Sequence, residues 1–276
     1  LTEFYSGHES EYWPYLQSLP KTYTNLCYFD VEEMLMLKGL ASFRETLIYW
    51  KNIVRQYAHF HLNIIINSNK DKNEAAKFIN KLNLIDRFCY EDYRWAAAVV
   101  MSRSFSVPTN TGCDFTAAMI PIVDLCNHSN TKPISAIILN MFEHTMQVSC
   151  DLEIKTGKQV CISYNVISNC KFVYRYGFFD ENNMLDCLML KLPFIKDNHL
   201  YSLKKQLFIK YGLFKYESIS IGVFSSNPWS GNVVPHMRIY VANEEDLSMI
   251  RLIPEKDFLS RIYETTPISQ KNETSA

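Results

Sequence analysis

The chain has 276 residues, 47% of them apolar and 21% charged, with a formal net charge of -1; this suits one or two globular cores and excludes the fibrous and disordered classes. A near-neutral balance also lacks the basic footprint of a nucleic-acid binder. No run reaches the roughly 18 to 20 apolar residues of a membrane span, and the opening LTEFYSGHESEYW has no signal-peptide pattern. The expectation is therefore an intracellular monomer, cytoplasmic and also nuclear, with neither membrane nor direct nucleic-acid contact.

In chain order, Asp30 and Glu33 have the spacing of a capping box, and Leu47, Trp50, Val54, Tyr57 and Ala58 form one stripe of a helix that runs through HLNIII and stops near Asn67. The polar NSNKDKNEAAK that follows reads as a solvated connection or as the lysine-rich start of another helix. YEDYRWAAAVVM, from Tyr90 to Met101, predicts a further helix. After Pro108 the pattern changes to strand-like runs: SAIILNMF, then TMQVSC beyond a turn at Glu143 and His144, then QVCISY beyond the turn KTGK. Past Lys191 to Pro193 the character shifts again. Leu200, Leu203, Leu207 and Tyr211 mark a helix closed by Gly212, followed by strand-like SISIGVF and MRIYVA and a short helix at EEDLSMI. Cys27, Cys89, Cys113, Cys126, Cys150, Cys161, Cys170 and Cys187 include no CxxC pair, so reduced and mostly buried thiols are expected, with no metal site.

The densest chemistry lies in VDLCNHSN, residues 123 to 130. By itself it admits three readings. Asp124 and His128 suggest a hydrolytic pair, but no GxSxG nucleophile accompanies them; Asp124, Cys126 and His128 make a weak metal pattern; and a capped polar turn is an ordinary use of these residue types. A second stretch, ISYNVISNCKFVYRYGFF from Ile162, places Tyr164 and Tyr176 twelve apart around an Asn and ahead of Gly177 and Phe178.

Together these stretches resemble the two signatures of the SET-domain methyltransferases, in the branch typified by the Rubisco large-subunit lysine methyltransferase and the actin-histidine methyltransferase: Pro-x-x-Asp-x-x-Asn-His, and Tyr-x-x-x-Ser-Asn followed by Tyr-Gly-Phe. YWPYLQSLP, KNIVRQYAHF, YEDYRWAAAVVMSR, GFFDENNMLD and HLYSLKKQL extend the resemblance over most of the chain, closest to the actin-histidine branch. It implies an α+β fold: a SET β core with a pseudoknot, a helical insertion (1–107), the C-terminal half of the core (108–193), and the start of a mixed, mostly helical substrate-binding lobe (194–276). The family's N-terminal Gly-x-Gly strands and last helices have no counterpart in this sequence.

The resemblance further implies S-adenosylmethionine as cofactor, contacted by Arg103, Asp124, Leu125, Cys126, Asn127, His128, Tyr176, Gly177 and Phe178, with Tyr176 orienting the nucleophile and Tyr164 lining the channel. The bland alternatives are a surface arginine and core aromatics. Acceptor choice would fall to Phe105, Val123, Tyr164 and Ile167. The histidine-specific enzyme has Asn, Trp and Arg where this chain has Phe105, Val123 and Ile167, and Ser in place of Tyr176. An imidazole would lose an amide partner there, while a lysine stem would gain apolar wall. The expected activity is thus protein-lysine methylation. Histidine methylation of actin is the alternative, and a catalytically silent peptide-binding module the second one, prompted by the absent Gly-x-Gly and by Asn165. The partner would be a protein: actin, a histone or another.

Overall fold

The computed structural model describes residues 1–40, 42–68, 73–109, 114–130, 136–140, 145–149, 153–165, 167–191, 199–210, 218–222, 233–253, 257 and 268–275. The chain divides into two compact units: Leu1–Lys38 with Ser42–Asn183, and Gly39–Ala41 with Met184–Ala276.

In the first unit, helices α1 (Thr2–Ser6), α2 (Trp13–Ser18), α3 (Val31–Met36), α4 (Phe43–Ser68), α5 (Glu74–Lys81), α6 (Leu84–Arg87) and α7 (Tyr90–Arg103) come first. The Asp30 carboxylate accepts from the Glu33 amide at 2.8 Å and Glu33 accepts from the Asp30 amide at 2.9 Å, so the capping box forms as its spacing predicts. The expected helix from Leu47 to Asn67 lies within α4. Asn73 caps α5 through the Ala75 amide, which makes the tail of the lysine-rich stretch a helix start.

α7 positions the site. Glu91 and Asp92 in its first turn and Arg103 in its last complement the helix dipole. Its Trp95, Ala98 and Val99, at helical spacing, are buried in two adjoining apolar clusters, one with Leu19 and one with Leu26, Ile53 and Tyr174.

β1 (Ser104–Pro108) leaves α7 directly and pairs antiparallel with β2 (Phe115–Met119), a hairpin the sequence reading lacked. β3 (Asn127–His128) pairs in parallel with β6 (Cys161–Ile162), setting Asn127 opposite Cys161 and His128 opposite Ile162. Between them β4 (Ala136–Asn140) and β5 (Thr145–Ser149) pair antiparallel as predicted; the turn expected at Glu143 and His144 lies outside the described residues. Helix α8 (Asn169–Tyr176) sits in a stretch expected to be strand-rich. It buries Phe172 and Tyr174 and ends on Gly177, whose amide donates to the Phe172 and Val173 carbonyls.

In the second unit, β7 (Cys187–Lys191) pairs antiparallel with β8 (Ser218–Gly222). Among the described residues its helices are α9 (Tyr201–Lys210), α10 (Val233–Val241), α11 (Glu244–Leu252) and α12 (Gln270–Ser275). The strand expected at MRIYVA is instead part of α10. Pro235 falls in its first turn, where no amide is needed, and Ile239 packs against Leu207, Phe208, Leu247 and Ile250, so helical packing overrides β-branched propensity. The cysteine expectation also changes: among the described residues only Cys27 is buried, Cys89 is exposed, and Cys126, Cys161, Cys170 and Cys187 are half-buried.

Candidate functional site

Arg103 ends α7 with its guanidinium fixed by two chain groups. Nη1 donates to the Asp124 carbonyl at 2.6 Å and Nε to the Tyr23 hydroxyl at 3.2 Å. The Asp124 carboxylate is buried and accepts from the Tyr15 hydroxyl of α2. Burial pushes its pKa up, against the opposing effects of the Tyr15 hydrogen bond and the Arg103 charge. Asp124 is delivered by a tight turn in which Ile122 adopts φ 77°, a conformation costly for a β-branched residue.

His128 is held as a neutral ring. Its Nδ1 accepts from the Tyr164 backbone amide at 3.0 Å, which puts the proton of the neutral tautomer on Nε2. Burial lowers its pKa, while Asn130 and the Asp180 carboxylate work in the opposite direction. Asp124 and His128 are therefore engaged with different partners, in keeping with a positioning role for the imidazole.

Behind the ring, the Asn130 amide donates to Asp180 at 3.1 Å and to Asn183 at 3.3 Å; Asn183, fully buried, donates to the Ile167 carbonyl at 2.9 Å. Asn169 closes the cluster with reciprocal bonds to the Asp180 backbone. These residues join the two signature stretches. The only sequence signal for them is the density of Asn and Asp in DENN and in the Ser-Asn step.

The aromatic groups converge. Ring centroids lie 4.7 Å apart for His128 and Phe172, 4.9 Å for Tyr164 and Tyr176, and 5.2 Å for Phe172 and Phe178. The Tyr164 hydroxyl donates to the Cys126 carbonyl at 2.8 Å, whereas the Tyr176 hydroxyl makes no hydrogen bond among the described residues. Burial raises the pKa of both phenols, so both stay protonated at neutral pH.

Segment 22–26 passes against the end of α8. Leu26 donates to the Tyr174 carbonyl at 2.9 Å and the Thr24 hydroxyl to the Gly177 carbonyl at 3.1 Å. A Cβ on Gly177 would lie 2.2 Å from Thr24 Oγ1 and 2.5 Å from the Thr24 carbonyl carbon, at a φ of +80°. Glycine is thus required at this position on two counts. Tyr15, Tyr23 and Thr24 were not among the sequence-derived site residues.

Three openings surround this arrangement. A cleft of about 410 Å³ is lined by Tyr23, Thr24, Asn127, His128 and Phe178 together with Arg103, Tyr164 and Tyr176. A second, of about 560 Å³, is lined by Phe105, Ala117, Ile162 and Asn165 and shares Arg103, Tyr164 and Tyr176 with the first. A groove of about 720 Å³ runs between α4, α7 and α8 and meets the second cleft at Ser104, Asn165 and Arg175. Of the expected acceptor residues, Phe105 and Tyr164 line the second cleft and Ile167 lines the groove. Val123, Leu125, Cys126 and Gly177 line none of the three.

No family model matches the sequence. The chain is 33% identical over 239 residues to the actin-histidine N-methyltransferase of Otolemur garnettii, and 32% identical over 239 residues to that of Homo sapiens; each match covers 86% of this chain and 38% of the relative. The chain thus spans well under half the length of these curated relatives. Among solved structures, the SET domain of LSMT bound to lysine and AdoHcy superposes with a TM-score of 0.69 at 20% identity, covering 99% of this chain and 59% of that one. Rubisco LSMT bound to sinefungin and monomethyllysine gives 0.68 at 19% identity, with the same coverage.

Proposed function

We propose that this chain belongs with the SET-domain proteins it is similar to, the branch holding the actin-histidine N-methyltransferases and Rubisco LSMT, and that it is an S-adenosylmethionine-dependent protein methyltransferase acting on a lysine side-chain nitrogen. The observation that carries this reading is that two clefts meet at Arg103 and one pair of tyrosines, Tyr164 and Tyr176.

The smaller cleft fits the cofactor. Its guanidinium, Arg103, is fixed in place and suits a fork-shaped contact with a carboxylate, and Tyr176 and Phe178 give flat apolar walls. Its volume falls in the range of about 300 to 1,000 Å³ common for small-ligand pockets. Asn127, His128 and Phe178 would hold the ligand beside Arg103. When bound, S-adenosylmethionine supplies a methyl group on a sulfonium, open to in-line displacement.

This chain's residues would align the acceptor and exclude water. A lysine entering between Phe105, Tyr164 and Tyr176 loses solvent, which lowers its pKa toward the neutral, nucleophilic form. Tyr176, whose hydroxyl has no protein partner among the described residues, orients the nitrogen. Tyr164, tied to the Cys126 carbonyl, serves as wall.

Phe105 favours lysine over an imidazole, because an aromatic ring offers neither donor nor acceptor to a ring nitrogen. The second reading, histidine methylation of actin, is favoured by the sequence likeness and by the Asn165 amide in the acceptor cleft. Calorimetric titration of S-adenosylmethionine into the full-length protein tests the cofactor reading. Saturable binding weakened by Arg103→Ala supports it; no binding would leave a peptide-binding module in its place.

A further inference from the structure

Helix α8 carries two cations on one face, of which only Arg175, in its last turn, suits the helix dipole. Lys171 stands in the first turn, which has no acidic residue, so its charge opposes the helix dipole. Arg175 lies four residues on, on the same face, and like charges at that spacing destabilise a helix.

Both side chains open into the groove between α4, α7 and α8, and Arg175 also lines the acceptor cleft beside Tyr176. Neither forms an ion pair among the described residues. Arg175 donates from Nε to the Met101 carbonyl at 3.3 Å and sits 5.7 Å from the Tyr176 ring centroid. The groove's one lining carboxylate, Glu45 on α4, takes a 3.5 Å hydrogen bond from the Tyr174 hydroxyl and makes no ion pair with Lys171. The remaining polar lining, including Tyr49, Asn52 and Gln56, is neutral. The groove therefore sets two cations, neither of them ion-paired among the described residues, against the single carboxylate of Glu45, a net positive charge in a partly enclosed space beside the acceptor cleft that favours an anion.

We infer that this groove seats the protein segment around the methyl acceptor and selects an acidic one, with a carboxylate next to the acceptor held by Lys171 and Arg175. The inference rests on the methyltransferase reading for its acceptor, but the groove's charge preference is measurable without turnover.

The test is fluorescence anisotropy of labelled peptides on the full-length protein. The peptides have a central lysine flanked by Asp and Glu, by Ala, or by Lys and Arg, and methyl transfer is followed in parallel. Acidic-flanked peptides are expected to bind about 10-fold more tightly than basic-flanked ones, from two partly solvated charge contacts. In Lys171→Glu that ratio should fall to about one or invert, and added salt should shrink it in the parent. Because the ratio is taken within one protein preparation, it is insensitive to the fraction folded. Equal binding of the three peptides, no binding of any, or a preference untouched by Lys171→Glu would overturn the inference. Selective binding without transfer would leave the groove standing and remove the activity.

Discussion

Replacing Gly177 by alanine should strongly destabilise the first unit and weaken cofactor binding. The left-handed backbone at this position costs a residue with a Cβ about 1–2 kcal/mol. The new methyl would lie 2.2 Å from Thr24 Oγ1 and 2.5 Å from the Thr24 carbonyl carbon, and overpacking of this kind costs about 1–3 kcal/mol. Moving Thr24 away also breaks its hydroxyl's bond to the Gly177 carbonyl, about 1 kcal/mol more. The sum, about 3–6 kcal/mol, is a large part of the about 5–15 kcal/mol that holds a typical protein folded. At about 2–4 °C per kcal/mol for a domain of this size, the melting temperature should fall by about 6–24 °C. Differential scanning fluorimetry measures it. Thr24→Ala should not rescue, because the backbone carbon remains in the way. A fall of less than about 3 °C would refute the close approach of segment 22–26 to α8.

Arg103→Ala should weaken S-adenosylmethionine binding by about 10- to 100-fold, the value of a charge-assisted hydrogen-bond pair, and Arg103→Lys should restore little because the fork is lost; calorimetry reads both. Tyr176→Phe should lower kcat by on the order of 100-fold with cofactor affinity unchanged, whereas Tyr164→Phe should mainly cost about 1 kcal/mol of stability through the lost bond to the Cys126 carbonyl, a contrast that kinetics and melting separate. His128 has a folded-state pKa below its ordinary 6.5, so the unfolded chain binds a proton first. Its contribution to stability is complete above 6.5, is lost as pH falls from there toward the folded value, and should largely vanish from the pH dependence in His128→Asn. Asp124, raised by burial, acts with the opposite sign above its ordinary value, so urea melts of the parent and of His128→Asn, compared pH by pH, isolate the histidine.

What the sequence disclosed follows the range of the interactions involved. α4, α7 and the Asp30 capping box are specified within a few positions by periodicity and capping, and so were β4 and β5. α10 was misread because its helix depends on Leu207, Leu247 and Ile250 packing against it, which no local window contains. α8 was hidden by an aromatic-rich stretch whose helical signal is chiefly the Gly177 stop. In the site, Asn127, His128, Tyr164 and Tyr176 were singled out through two signature stretches and Arg103 through the wider resemblance at YEDYRWAAAVVMSR, and all five line the two clefts. Tyr15, Tyr23 and Thr24 were not, because each acts on a partner 80 to 153 positions away. Asn130 and Asp180 look like ordinary turn residues until their hydrogen bonds are seen.

The central claim, transfer of a methyl group to lysine at the Tyr164–Tyr176 junction, is tested most directly by incubating the full-length protein with methyl-labelled S-adenosylmethionine and candidate proteins and identifying the labelled residue by mass spectrometry. Label on lysine Nζ that disappears in Tyr176→Phe is the predicted result. Label confined to histidine, or absent from every protein while the cofactor is bound, would contradict it.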